Sequence, residues 1–337
     1  MGNIKKKEII GYLNYNRNRV LFKEADSIRK RYCGDEVHIR GIIEFSNYCK
    51  RDCLYCGLRK SNKKLTRYKM SIDEIFKTAQ KIKEFKYKTI VLQSGEDDYC
   101  QIKELCSLIK RIKREIDCAV TLCIGEKTYD EYKQLREAGA DRYLLKFETS
   151  NKKLYSNLKP DSSYEKRLIS LAWLKELGYQ VGSGNMTGLP GQTLKILADD
   201  ILLMDKLDLD MIGIGPFIPH PDTPLQHSEK GTLELTLKTI ALTRMVAPNT
   251  HIPATTAVGS INPQGRQKAL QCGANVIMPN VTPQKYREYY QIYPDKICIN
   301  DQPGNCRMCI ETMIQSLGRD IAQGYGHSLK QYHWGRK

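Results

Sequence analysis

The chain has 337 residues, 41% hydrophobic and 27% charged, with a formal net charge of +16. That length can bury a large core, as one large domain or two ordinary ones. No apolar run approaches the ~18 residues of a membrane span, and Met1 to Ile10 carries lysines but no apolar stretch, which excludes a spanning helix and a secretion signal. Lys6 also stands where a myristoylation motif starting at Gly2 needs Ser or Thr, so the expected location is the cytoplasm. In that compartment 12 cysteines point to metal or catalytic thiolates rather than to disulfides. Six of them form two tight triplets; Cys33, Cys100, Cys106, Cys118, Cys123 and Cys272 are scattered and are expected to pack as small apolar residues. The charge permits an RNA, an anionic substrate or an acidic surface as partner. However, the lysines fall on amphipathic stretches such as Lys81 to Lys88, and no basic block is interleaved with aromatics as in a single-strand binder, so nucleic acid is not expected.

In chain order, a basic and helical extension over 1–36 comes first. Eight short apolar runs follow: His38–Ser46, Thr89–Gly95, Ala119–Gly125, Tyr143–Thr149, Gln180–Leu189, Met211–Phe217, Ile252–Gly259 and Ala274–Asn280. They are rich in Ile, Val, Leu and Thr without clean alternation, as parallel strands buried on both faces are. Helix signals lie between them. Ser71-Ile-Asp-Glu74 and Thr128-Tyr-Asp-Glu131 are capping boxes, Ile72, Ile75, Phe76, Ala79 and Ile82 recur at helical spacing, and Thr282-Pro283 reads as an N-cap with Pro at the first helical position. Eight strand–helix repeats without a Pro/Gly/Ser linker predict an α/β protein, a single (β/α)8 barrel of the TIM type over 37–296. A doubly wound sheet suits eight repeats less well. The segment 297–337 is expected to pack outside the barrel or run free at its end.

Directly after the first run comes Cys49-Lys-Arg-Asp-Cys53-Leu-Tyr-Cys56. Three thiolates can hold three irons of a [4Fe–4S] cube and leave the fourth without a protein ligand, where an ordinary cluster of this kind takes four cysteines. S-adenosylmethionine (SAM) can chelate such an open iron. A structural zinc knuckle wants four protein ligands, and no fourth lies close by. C-x3-C-x2-C with Tyr55 before the last cysteine is similar to the fingerprint of the radical SAM superfamily.

The resemblance extends from about Ile42 to Gly318 and narrows to the HydE family of [FeFe]-hydrogenase maturases. It is carried by Ile43-Glu-Phe-Ser-Asn-Tyr-Cys49, Cys56-Gly-Leu-Arg59, Val91-Leu-Gln-Ser-Gly-Glu-Asp97, Gly188-Leu-Pro-Gly-Gln-Thr193, Ile214-Gly-Pro-Phe-Ile-Pro-His-Pro-Asp-Thr-Pro-Leu225, Ile252-Pro-Ala-Thr-Thr-Ala257 and Gly273-Ala-Asn-Val-Ile-Met-Pro-Asn280. It implies that Tyr55, Ser94, Gly95, Glu96, Glu148, Arg167 and Met211 bind SAM, and that Thr121, Lys146, Thr255, Thr256, Tyr290 and Tyr293 meet the substrate. It implies reductive SAM cleavage to a 5′-deoxyadenosyl radical, acting on a cysteine-derived, iron-bound substrate during assembly of the hydrogenase di-iron subcluster. Expected partners are this organometallic small molecule, a radical SAM sister maturase and a scaffold GTPase; the protein is expected to be a monomer. One departure stands out: Lys146-Phe147 precedes Glu148 where family members carry an arginine, often followed by histidine. Lysine keeps the charge and loses the planar fork. Cys298, Cys306 and Cys309 resemble a second, peripheral site for a [2Fe–2S] or [4Fe–4S] cluster found in some members; a zinc site recruiting His327 or His333 competes with it. Rival functions are a biotin-synthase-like or methylornithine-synthase-like enzyme on a small organic molecule, and an RNA-binding zinc protein.

Overall fold

The computed structural model describes residues 4–15, 18–97, 101–300 and 303–330, which leaves Cys100 and His333 outside. Helices α1 (Lys6–Asn14) and α2 (Asn18–Cys33) form the basic N-terminal segment. The first apolar run is split at Arg40 into β1 (Glu36–Ile39) and β2 (Gly41–Ser46). Then come α3 (Ile72–Glu84), β3 (Thr89–Ser94), α4 (Ile102–Glu115), β4 (Ala119–Cys123), α5 (Tyr129–Glu137), β5 (Arg142–Leu144), α6 (Lys152–Leu158), α7 (Tyr164–Glu176), β6 (Gln180–Ser183) and β7 (Met186–Thr187). The chain continues through α8 (Leu194–Lys206), β8 (Met211–Ile212), β9 (Gly215–Pro216), α9 (Leu233–Val246), β10 (Pro253–Ala254), α10 (Thr256–Ile261), α11 (Gly265–Leu270), β11 (Val276–Ile277), α12 (Gln284–Arg287), α13 (Pro303–Ser316) and β12 (Asp320–Ile321).

Six strands pair in parallel in the order β2-β3-β4-β5-β6-β8, and β10, β11 and β1 continue the wall. Met211 bridges to His251 and Ile42 to Asn280, while the amides of His38, Arg40 and Ile42 donate to the carbonyls of Asn275, Ile277 and Pro279. The sheet therefore closes, with β1 and β2 acting as one stave of eight, and the fold is the expected TIM-type barrel. Alternation sorts the side chains: Val120 and Leu122 of β4 join the apolar layer under the helices, whereas Thr121 and Cys123 take the other face.

Both capping boxes form. Ser71 Oγ accepts from the Glu74 amide at 3.2 Å and the Glu74 carboxylate accepts from the Ser71 amide at 3.0 Å; Thr128 and Glu131 do the same. Thr282 does not cap α12, because Pro283 takes that position and the Thr282 hydroxyl accepts from the Glu44 amide at 2.8 Å. Most strands are shorter than the sequence suggests, with β8 (Met211–Ile212) and β11 (Val276–Ile277) cut to a single pair of residues. The run from Tyr143 leaves the ladder after Leu144, and the run from Ile252 turns into α10 at Thr256. β-Branched residues report fit to a pleated surface rather than a fixed backbone preference, and at the barrel rim pairing thins to isolated bridges such as Glu148 with Asn185.

The C-terminal segment is neither outside nor free. β12 pairs in parallel with β1, and residues 322–330 cross the floor of the barrel. Arg142 Nη2 donates to the Tyr325 and Gly326 carbonyls at 2.6 and 2.8 Å, Arg40 Nη2 donates to Gly326 O at 3.1 Å, and His251 Nε2 donates to His327 O at 2.9 Å. The His327 ring lies 2.9 Å from Gln180 Nε2 and 3.2 Å from Arg142, so it belongs to the floor and not to a zinc site with the second cysteine triplet. Burial, then the charges of Arg40 and Arg142, push the His38 pKa down to about 4. Replacing Arg142 with Met should strip a charged donor from each of two tail carbonyls, leaving them Thr89 Oγ1 and Arg40 Nη2 as partners, and cost about 2–3 kcal/mol. The check is a lowered Tm together with faster tryptic cleavage at Lys330; an unchanged tail would mean that Arg142 does not hold the floor.

Candidate functional site

The cysteine loop leaves β2 at the C-terminal mouth of the barrel, where TIM-type folds place their chemistry. It contains few apolar groups and is pinned by polar contacts on every side. Lys50 N donates to Glu96 O at 2.7 Å, Leu54 N to Leu158 O at 2.9 Å and Gly57 N to Ile292 O at 3.2 Å. Arg67 Nη1 donates to the Asn47 and Leu58 carbonyls at 2.6 and 2.9 Å, and Arg59 pairs with Asp52 at 2.7 Å. Gly95 is required here, since a Cβ would lie 2.2 Å from Tyr48 O. Burial first, then the proximity of Cys53 and Cys49, pushes the Cys56 thiol up; burial likewise raises Cys49 and Cys53. Three desolvated, mutually repelling soft donors suit a cationic iron–sulfur centre, which favours the thiolate forms. The donor set fits a cluster with one open iron.

Of the expected SAM residues, Ser94, Gly95, Glu96 and Glu148 lie near the adjoining strand ends, Tyr55 in the cysteine loop and Arg167 on α7. Ser94 Oγ donates to Gly95 O at 2.7 Å. Glu96 accepts from Arg51 Nε at 2.7 Å; burial opposes its charge, but Arg51 holds its pKa below the ordinary carboxylate value. Tyr55 packs beside the small apolar cluster of Leu154, Leu158, Leu189 and Phe217. Glu148 is held in the left-handed region at φ +65° by its amide donating to Gly184 O at 3.0 Å and its carbonyl accepting from Met186 N at 3.1 Å, a strained state that costs ~1–3 kcal/mol. Arg167 is buried, with Nε 2.8 Å from a carboxylate oxygen of Glu126. Met211 lies lower in the barrel, where its sulfur accepts from Arg40 Nη1 at 2.9 Å.

Among the described residues, Thr121 Oγ1, Glu126 Oε1, Glu148 Oε2, Arg167 Nε and Asn185 Oδ1 are buried without a hydrogen-bond partner. Glu126 and Arg167 are ion-paired but misaligned for a bond. Each such group costs ~1–3 kcal/mol, so the mouth lacks partners that a polar zwitterionic nucleoside would supply. The residues present fit SAM.

Of the substrate candidates, Lys146 lies 3.5 Å from Glu148 Oε2, on the same side of the chain. Tyr290 is buried and hydrogen-bonded to Gln93, and Tyr293 to Ser260. Thr255 Oγ1 donates to Ile214 O at 3.2 Å, and Thr256 opens α10 rather than ending a strand. Cys123 was expected to pack as a small apolar residue; it stands instead opposite Gln93 in the β3–β4 ladder, outside the apolar core, close enough to feel the charges of Lys146 and Glu148. Burial pushes its pKa up to about 12. The sequence reading also missed Arg51 and Glu126, although Gly95-Glu96 and Gly125-Glu126 repeat one pattern after adjacent strands. In the second triplet, Cys306 and Cys309 lie one helical turn apart on α13, Cys306 buried in the apolar core and Cys309 exposed, while Cys298 is half-buried at φ +64°.

Residues 43–204 match the family model described as the radical SAM superfamily. The chain is 53% identical over 320 residues, 95% of its length and 92% of the relative's, to the [FeFe] hydrogenase maturase subunit HydE of Thermotoga maritima. Among solved structures it superposes on methylornithine synthase (PylB) with a TM-score of 0.84 at 23% identity, covering 95% of both chains. On HydG, a maturase of the [FeFe]-hydrogenase, the TM-score is 0.78 at 22% identity, covering 93% of this chain and 72% of that one. The superpositions speak to the fold, and the high identity over nearly the whole length decides the rest: the chain belongs to the HydE family of [FeFe]-hydrogenase maturases within the radical SAM superfamily.

Proposed function

We propose that this radical SAM enzyme binds its [4Fe–4S] cluster through Cys49, Cys53 and Cys56 and cleaves SAM reductively to a 5′-deoxyadenosyl radical. The radical acts on a cysteine-derived, iron-bound substrate in assembly of the hydrogenase di-iron subcluster. The observation that carries the reading is the three-thiol loop set against a ring of buried polar atoms that lack hydrogen bonds. When bound, the cluster supplies the electron for C–S cleavage through the iron that three cysteines leave open. The chain's own residues bind and exclude. Glu96, Glu148 and Arg167 meet the amino, ribose and carboxylate groups of SAM, an arginine fork suiting a carboxylate. Tyr290 and the rim loops keep water from the barrel interior. Lys146 provides positive charge where a substrate carboxylate would lie, with Thr121, Thr255, Thr256 and Tyr293 nearby. A sister radical SAM maturase supplies the substrate and a scaffold GTPase receives the product, with this chain acting as a cytoplasmic monomer. No helix among the described residues is long and apolar enough to cross a membrane. Cys298, Cys306 and Cys309 hold a second, peripheral [2Fe–2S] or [4Fe–4S] cluster that takes no part in the radical step.

The reading is tested by anaerobic reduction of the protein with SAM present. Wild type should release 5′-deoxyadenosine, and Cys53→Ala should abolish the release, since one of only three thiolates is lost; full cleavage by the variant would refute the assignment. Replacing Cys306 and Cys309 together with Ala should alter iron content or lower Tm while 5′-deoxyadenosine release stays within about twofold; its loss in a folded variant would tie the two triplets together. Lys146→Met should lower kcat/KM for the sister maturase's product about 30-fold, the equivalent of ~2 kcal/mol for a partly desolvated charge pair. Lys146→Arg should keep or improve it, because the fork makes two parallel hydrogen bonds. Equal turnover by wild type and Lys146→Met would show that the lysine does not anchor the substrate.

A further inference from the structure

Arg51 and Arg167 reach the barrel mouth from different directions. Arg51 lies inside the cysteine loop, between Cys49 and Cys53, and Arg167 lies on α7, on the outer layer. Among the described residues one carboxylate is ion-paired with both. Glu126 Oε2 is 2.8 Å from Arg51 Nη2, and Glu126 Oε1 is 2.8 Å from Arg167 Nε. The side chain of Glu126 is 3% exposed and that of Arg167 5%. At this depth the pairs are shielded from solvent, and removing one partner strands the others.

Glu126 is itself held rigidly. Gly125 takes φ +77°, and a Cβ there would strike the Glu96 side chain. The Gly125 carbonyl accepts from Tyr143 Oη at 2.7 Å. Lys127 N donates to Tyr132 Oη at 3.1 Å, and Lys127 Nζ donates to Asp97 O at 2.9 Å. The β4 end thus presents a fixed negative charge to two guanidinium groups, a supporting arrangement of the kind that preorganises a site. The contact with Arg167 is close yet misaligned, so Arg167 Nε and Glu126 Oε1 both keep hydrogen-bonding capacity in a dry place.

We infer that Glu126 is a positioning residue for SAM: it orients Arg167 toward the SAM carboxylate while fixing, through Arg51, the cysteine loop that carries the cluster. The inference rests on the radical SAM reading of the site. Its energetic content is that one anion sets the spacing between the two halves of the cofactor site, the iron-bearing loop and the carboxylate-binding arginine. Glu96 pairs only with the first of them, since it contacts Arg51 and not Arg167.

The test is SAM binding to the cluster-loaded protein, measured by calorimetry and by the SAM-induced change in the electron paramagnetic resonance spectrum of the reduced cluster. Glu126→Gln should retain its iron and labile sulfide, raise the SAM Kd about 10–100-fold, and weaken the spectral change at SAM concentrations that saturate wild type. Its kcat at saturating SAM should fall much less than its kcat/KM. Because the effect passes through Arg167, the double variant Glu126→Gln/Arg167→Gln should bind SAM no more than about threefold more weakly than Arg167→Gln alone, a failure of additivity expected for coupled groups. An affinity within twofold of wild type in Glu126→Gln, or full additivity in the double variant, overturns the inference. Should Glu126→Gln not retain its cluster, Glu126→Asp carries the test. It keeps the charge with a shorter reach and must bind SAM more weakly than wild type but more tightly than Arg167→Gln; wild-type affinity overturns the inference. Wild-type protein that neither binds nor cleaves SAM would sink the parent reading, and this one with it.

Discussion

The mouth of this barrel depends on docking a polar, cysteine-bearing loop against the ends of β3 and β4. A loop of this composition buries too little apolar surface to hold itself in place, and ordering its backbone costs ~1–2 kcal/mol per residue. Charge does the holding. Glu96, Arg51, Glu126 and Arg167 form a chain of alternating sign across four elements, and the chain is neutral overall, so its members can stay buried where any one alone could not. Placement of the thiols follows from the loop sitting where these pairs put it.

The two ends of the barrel solve the same problem differently. At the mouth, buried cations meet carboxylates. On the floor, Arg40 and Arg142 meet mainly backbone carbonyls of the C-terminal tail. Carbonyls satisfy a guanidinium's donors without neutralising it, so burial lowers the pKa of both arginines.

Much of this was legible in the sequence because it is local. The C-x3-C-x2-C spacing, both capping boxes and the eight apolar runs depend on neighbours within a few residues, and the structure bears out the barrel they implied. What escaped detection depends on distant partners. Nothing near Arg167 in the chain distinguishes it from a solvated helix arginine, so the family resemblance alone singled it out; its buried partners, Glu126 and the Lys146 carbonyl, lie on other elements. Cys123 reads as one small apolar residue among several, until strand register places it opposite Gln93 rather than beneath the helices. Met211 sits at the start of its apolar run, and that start lies deep in the barrel instead of at the rim. The tail defeats local reasoning altogether, since its bonds run to Arg40, Arg142 and His251 from more than seventy residues away.

That pairing also imposes an order on biosynthesis. Glu36 and Val37 of β1 find their partners in Asp320 and Ile321, which are made long after them. At typical elongation rates of ~5–20 residues per second, β1 waits roughly 15–60 s for β12 to exist. Until then Arg40 and Arg142 remain hydrated from below. Their desolvation is deferred until the Tyr325 and Gly326 carbonyls arrive to take over from water. The cysteine loop waits less for most of its supports: Glu96, Glu126, Leu158 and Arg167 are made well before the tail, and only the Tyr289 and Ile292 carbonyls come late.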